Sequence, residues 1–155
     1  MGWDGILEHI HITPKARAPM QPLAEARLVA GQGIAGDRYL LGAGTYSIKP
    51  EPGRQITLIE AETLEALARD HGIGLAPHEH RRNLTVRGVP LNHLVGRRFR
   101  VGAAVLEGAR LNKPCKYLEL VTAKTVYEPL LNRSGLNCLI VAGGVLRPGD
   151  PVTPV

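Results

Sequence analysis

Aromatic side chains are scarce in this 155-residue chain: one Trp, one Phe and four Tyr, or 4% of residues. That scarcity argues against a base-stacking platform of the kind that binds single-stranded nucleic acid. Cysteine is scarcer still. Cys115 and Cys138 are too few for a disulfide framework and suit a reducing cytoplasm. No apolar run approaches the ~20 residues that span a bilayer. The N-terminus lacks the basic-then-apolar pattern of a secretory signal. A cytoplasmic protein without membrane contact is the expectation.

Low-complexity tracts are missing as well, and 44% of the residues are hydrophobic, so residues 1–155 are expected to form a single domain with its own core. What the chain does have is turn chemistry. Its 18 Gly and 12 Pro punctuate many short β-rich runs, the pattern of a mainly β domain with a few short helices. Lysine and arginine outnumber acids 19 to 14, for a net charge of +5. Such a balance suits an anionic partner (nucleic acid, phosphate or a phosphorylated cofactor) and equally a plain basic surface.

Residues 6–12 alternate as a first strand, with Ile6, Ile10 and Ile12 on one face and Leu7, His9 and His11 on the other. His9 and His11 then share a face, but no third metal ligand stands at a matching spacing. Residues 24–29 read as a second strand. Residues 31–39 place three glycines ahead of Asp37-Arg38-Tyr39. Glycines of this kind let backbone amides approach an anion, yet the lysine of a phosphate-binding P-loop is missing. A turn with a structural Asp–Arg ion pair is the alternative.

Residues 40–53 are rich in Gly and Pro and read as a mobile surface loop beside a site. Residues 54–59 read as a strand with Ile56 and Leu58 inward. Residues 60–71 carry the clearest helical spacing, acids early and Gly72 at the C-terminal cap position. His78-Glu79-His80-Arg81-Arg82-Asn83 is dense in polar groups. It suits either oxyanion recognition, since guanidinium forks match oxygen pairs, or a solvated turn before a strand at 84–87. A hairpin over 97–108, helices at 116–121 and 125–132, and a buried strand at 136–141 holding Cys138 complete the pattern.

The candidate chemistry lies in Leu111-Asn112-Lys113-Pro114-Cys115-Lys116-Tyr117-Leu118-Glu119. Pro114 lacks a backbone donor and turns the chain. Lys113 and Lys116 flank a cysteine, and nearby cations favour the thiolate that attacks electrophiles and binds soft metals. A cysteine serving only as core would more often sit in an apolar run. The residues by themselves leave both roles open for Cys115.

Taken in order, Gly33-Ile34-Ala35-Gly36-Asp37-Arg38-Tyr39, Arg54-Gln55-Ile56-Thr57-Leu58-Ile59, Arg81-Arg82-Asn83-Leu84, Val95-Gly96-Arg97-Arg98-Phe99-Arg100-Val101-Gly102 and Pro114-Cys115-Lys116-Tyr117-Leu118 resemble the motifs of MOSC domains, relatives of the C-terminal part of molybdenum cofactor sulfurase. Arg147-Pro148-Gly149-Asp150-Pro151-Val152 fits that family's end. The resemblance implies a β-barrel-like fold with a few short helices and a functional cysteine in the Pro-Cys motif. In some members that cysteine carries a persulfide; in those reducing amidoximes and hydroxylamines it ligates molybdenum. Carried over, Cys115 is the sulfur carrier or molybdenum ligand. Asp37, Arg38, Arg81, Arg82 and Asn83 line the pterin and phosphate pocket, with Lys113 or Lys116 assisting.

The family label also mentions pyridoxal phosphate, which belongs with the fused sulfurase half. The chain departs from larger members in lacking their Thr/Asp-rich turn after the cysteine, and Tyr39 stands where many short bacterial members have histidine. With no iron–sulfur or aminotransferase-like segment in the sequence, a separate electron-donor protein or cysteine desulfurase is the expected partner, beside a small-molecule substrate. The rival class is a non-catalytic basic module for nucleic acid or an acidic protein, resting on the charge and on Arg81-Arg82 and Arg97-Arg98-Arg100.

Overall fold

The computed structural model describes residues 2–42, 52–114 and 116–155. Cys115 and residues 43–51, most of the segment read as a mobile loop, lie outside the described residues. The strands are β1 (Gly5–Ile12), β2 (Gln21–Pro22), β3 (Ala26–Val29), β4 (Gly33–Ile34), β5 (Ile56–Glu60), β6 (Leu84–Arg87), β7 (Arg98–Val101), β8 (Ala104–Leu111), β9 (Leu136–Ala142), β10 (Gly144–Leu146) and β11 (Pro151–Pro154). The helices are α1 (Arg38–Leu41), α2 (Ala61–His71) and α3 (Lys116–Thr122).

Among the described residues, β11, β7, β8, β9, β5, β6 and β1 pair in that order, and pairing of β11 with β1 closes them into a barrel. Closure removes the open edges that a sheet of this size would otherwise present. The pairings are antiparallel except for β5 with β6, whose crossover is made by α2. β2 adds to the end of β1, and β10, β3 and β4 form a small second sheet. The mainly β barrel with short helices is therefore the observed fold.

The core follows from the strand alternation. Leu7, Ile10, Ile56, Leu58, Leu84, Val86, Phe99, Val101, Leu106, Leu136, Cys138 and Ile140 are buried in one cluster inside the barrel. A second cluster, with Ile59, Leu67, Leu75, Leu118, Val126 and Leu130, seats α2 and α3 on the outside. Gly72 ends α2 in the left-handed conformation and returns its N–H to Ala68 and Leu67, as the sequence indicates.

Three expectations need correction. Strict alternation in β1 fails because the register with β6 shifts between Leu7 and His9. This irregularity buries Leu7 and leaves Ile6 42% exposed. Residues 125–132 form turns rather than a helix, since Pro129 interrupts the run and Asn132 adopts a positive φ of 64°. The turn at 80–83 is not solvated: His80, Arg81, Arg82 and Asn83 are all buried.

Candidate functional site

Asp37 organises one wall of the site. Its carboxylate accepts from Thr13 N at 3.1 Å and from Tyr39 N at 3.3 Å, so it caps α1 and ties it to the end of β1. It also receives Arg38 Nη1 at 3.2 Å, and both side chains are buried. Arg38 Nη2 donates to the Arg81 carbonyl at 2.9 Å and to Tyr39 Oη at 3.3 Å. Its guanidinium carbon lies 4.3 Å from the Tyr39 ring centroid, a cation–π contact. The Asp–Arg pair is thus a structural ion pair that also fixes the next wall.

That wall is the turn before β6. His80 Nδ1 accepts from Arg82 N at 2.9 Å, which puts the ring proton on Nε2, facing Thr85 Oγ1 at 2.8 Å. Burial, and then the Arg82 charge, hold the His80 pKa well below the usual histidine value. Arg82 donates from Nε to Ser134 O, from Nη1 to His80 O, and from Nη2 to Asn112 Oδ1 and Ser134 Oγ, at 2.7–3.0 Å. Asn83 is fully buried and exchanges bonds with Thr57 and His11 O across three strands.

Arg81 differs from both neighbours. Its backbone has a φ of 68°, a region costly for a residue with a Cβ. Nη1 donates to Ala18 O at 2.5 Å. Nε and Nη2 are buried and make no hydrogen bond of good geometry, although the Tyr117 side chain lies close enough to favour the charged guanidinium. Burial, and then the Arg38 charge, pull the Arg81 pKa below the ordinary arginine value.

The third wall comes from the end of β8 and the start of α3. Asn112 N donates to Gly135 O at 2.7 Å, and Asn112 Nδ2 to Asn137 Oδ1 at 2.7 Å. Gly135 is required here, for a Cβ would lie 2.0 Å from Leu58 O at a φ of 111°. Tyr117 Oη accepts from Arg17 N at 2.8 Å, and its ring centroid is 5.9 Å from the Arg17 guanidinium carbon and 6.0 Å from that of Arg81.

These walls enclose a cleft of about 200 Å³ lined by Arg38, Tyr39, Arg54, Arg81, Arg82, Arg110, Asn112, Lys113, Pro114, Tyr117, Leu118 and Asn137. Six of those twelve side chains are cationic and, among the described residues, no carboxylate lines it. Of the residues singled out from sequence, Arg38, Arg81, Arg82 and Lys113 border the cleft. Asp37 and Asn83 stand behind it as supports. Lys116 points elsewhere: its side chain is 79% exposed and pairs with Glu119 at 3.2 Å.

Arg54, Arg110, Asn112, Tyr117 and Asn137 line the cleft but were not singled out. Arg54, Asn112 and Tyr117 stand inside the motifs quoted above. Asn137 had no signal, because its partner Asn112 is 25 residues away.

His9 and His11 do share a neighbourhood, with ring centroids 6.2 Å apart. Among the described residues no group of three or more His, Cys, Asp or Glu could hold a metal ion. No helix among them is long and apolar enough to cross a membrane.

A family model described as MOSC domain matches residues 45–153. Among solved structures, the YuaD protein from Bacillus subtilis superposes with a TM-score of 0.80 at 20% identity, covering 97% of each chain. YiiM from Geobacillus stearothermophilus gives 0.74 at 14% identity, over 97% of this chain and 75% of that one. YiiM from Escherichia coli gives 0.70 at 19% identity, over 97% and 69%. At these identities the structural likeness speaks for the fold alone. No curated protein sequence matches the chain.

Proposed function

The chain belongs to the MOSC domain family, and from that premise we propose that its cationic cleft binds a molybdopterin-type cofactor to which Cys115 contributes a sulfur. The observation that carries this reading is the charge imbalance of the cleft. Six cationic side chains line it without a facing carboxylate among the described residues, and the buried Nε and Nη2 of Arg81 lack acceptors. Buried donors are almost always satisfied, so unmet ones on a cation fit an anionic ligand. A pterin bearing a phosphate meets that requirement.

Arg81 and Lys113 would hold the cofactor's anionic part, while Asp37, Arg38, Arg82 and Asn83 keep the walls in place. When bound, the cofactor supplies a two-electron redox centre. The chain's own chemistry rests on Cys115, which is covalently joined to cleft-lining Pro114. Lys113, on the cleft, favours the thiolate form.

As a fixed ligand, that thiolate would serve the reduction of N-hydroxylated small molecules, with electrons from a separate donor protein. As a carrier, it would attack the outer sulfur of a cysteine desulfurase persulfide. A new S–S bond to Cys115 forms, the donor cysteine leaves as thiolate, and no net oxidation occurs.

A non-catalytic nucleic-acid module is a weaker reading, since many cations converge on an enclosed cleft instead of a flat face. Binding by surface phosphate contacts would also fall steeply with salt.

Protein from a cofactor-producing host is expected to carry molybdenum and an oxidised-pterin fluorescence, and Cys115→Ser to lose activity. Iodoacetamide should label Cys115 in cofactor-free protein far faster than Cys138, whose thiol pKa is pushed up by complete burial. A persulfide on the Cys115 peptide in mass spectra would select sulfur carriage. Absence of pterin from loaded preparations, or full activity in Cys115→Ser, would overturn the reading.

A further inference from the structure

Most of the cleft wall is fastened from within the fold. Arg38 is held by Asp37 and by the Arg81 carbonyl. Arg82 is held by Ser134, His80 and Asn112, and Asn112 by Asn137 and Gly135. Tyr117 is fastened differently. Among the described residues, the one well-formed hydrogen bond of its hydroxyl comes from Arg17 N at 2.8 Å, an exposed contact across 100 residues of sequence.

The loop that supplies this donor, residues 13–19, has a firm base and a weak tip. At the base, Ala18 O accepts from Arg81 Nη1 and lies 3.3 Å from the Thr13 hydroxyl. Pro14 and Pro19 fix φ near either end. At the tip, Arg17 adopts a φ of 65°, a region costly for a residue with a Cβ. The bond to Tyr117 offsets that cost, together with the Arg17 guanidinium 5.9 Å from the same ring. Exposed contacts of this kind are of the same order as the strain they offset, so the made and released forms of the tip lie close in free energy.

The size of the cleft gives this weak point a use. At about 200 Å³ it is smaller than the roughly 300–1,000 Å³ of pockets that enclose drug-sized molecules and cofactors. A wall has to move before a ligand of that size can enter. Tyr117, half-buried at the start of α3, is the wall with the least holding it.

We propose that Arg17 and Tyr117 form a latch that sets the size of what enters the cleft. With the bond made, the cleft is narrow and admits small molecules. With it released, the Tyr117 ring moves out with the tip of the 13–19 loop and a ring-bearing ligand is admitted. The latch rests on the cleft geometry. Only the identity of the larger ligand rests on the proposed function.

The test uses the full ¹⁵N-labelled chain, cofactor-free. Tyr117→Phe keeps the ring and loses the acceptor, so the Arg17 amide should exchange with solvent about fivefold faster than in the parent, the worth of one exposed hydrogen bond. Access is read with two paramagnets of different size, dissolved oxygen and a six-membered-ring nitroxide. Each broadens the side-chain amide resonances of Asn112 and Asn137, which line the cleft, to the extent that it enters. In Tyr117→Phe the nitroxide broadening should rise about fivefold and the oxygen broadening should stay as in the parent. Arg17→Pro removes the donor and forbids the positive φ. It should match Tyr117→Phe, and the double variant should go no further.

An Arg17 amide that exchanges equally in parent and Tyr117→Phe, or equal nitroxide broadening in the two, overturns the latch. A joint rise of oxygen and nitroxide broadening overturns it too, because the whole fold has then loosened. So does an additive double variant, because the two changes then act by separate routes. Neither readout uses the cofactor. A chain that never takes up a pterin therefore defeats the cofactor reading and leaves the latch to be decided by these measurements.

Discussion

Two depressions among the described residues show opposite uses of charge. The cationic cleft gathers arginines and a lysine with no acid on its lining among the described residues. The other, between α2 and the β1–β6 pair, is lined by Glu8, Glu65, Glu79, His9 and Arg87. There each carboxylate has a cationic partner: Arg87 meets Glu8 at 2.5 Å and also Glu65, and Glu79 meets Lys124 at 2.8 Å. Both carry ionisable side chains, so the presence of charge does not by itself mark a binding site. Imbalance does. A surface that matches its own charges asks nothing of a ligand, whereas a buried cation with unmet donors does.

The largest effect that would sharpen this contrast lies at the foot of the cleft. Arg82→Met should destabilise the fold by about 3–5 kcal/mol, because it strands the buried acceptors of His80, Ser134 and Asn112 together. Denaturant unfolding measures this directly. A loss near zero would mean that Arg82 is not scaffold, and the division of labour with Arg81 would collapse.

Next comes acid. His80 is held neutral by burial and the Arg82 charge, and burial together with His9 and His78 lowers the His11 pKa to about 4. In the unfolded chain both titrate near 6.5. Histidines with depressed folded pKa values contribute stability above pH 6.5, and it is lost as pH falls towards the folded value. For His11 the window is pH 6.5 to about 4, and the loss is on the order of 3 kcal/mol. Unfolding midpoints across that range test it, and a pH-independent midpoint would show that the cleft's support does not depend on neutral imidazoles.

The smallest effect is expected in the balanced depression. Arg87→Gln removes exposed ion pairs, which contribute little in water. Its melting temperature should barely change, and phosphate binding by the cationic cleft should be the same as in the parent. Altered phosphate binding in this variant would break the comparison, since it would tie the second depression to the first.

Much of the scaffold is legible in the residues. The 3.6-residue spacing in α2 and its Gly72 cap, the hairpin of β7 and β8, and the apolar run around Cys138 are local signals, and the structure follows them. The register shift in β1 is not local. It is decided by pairing with β6, which is 72 residues or more away in sequence, so alternation alone picks the wrong isoleucine for the core.

The site shows the same boundary. Composition determined that cations exceed acids, and the motif order determined the family. Sequence could not separate Arg81 from Arg82, because the two differ only in what surrounds them. Ser134 reaches Arg82 from the turn before β9 and Asn112 from just past the end of β8, while Ala18 reaches Arg81 from the loop after β1.

A side chain's type is written in its codon, but whether its donors are met depends on atoms brought from distant segments. The sequence by itself therefore determined a turn-rich β chain with an excess of positive charge and a thiol set between lysines. Only the tertiary structure decided which of the two cleft-lining guanidiniums is fully bonded and which keeps two donors unmet, since closing the barrel is what brings the acceptors to one and withholds them from the other.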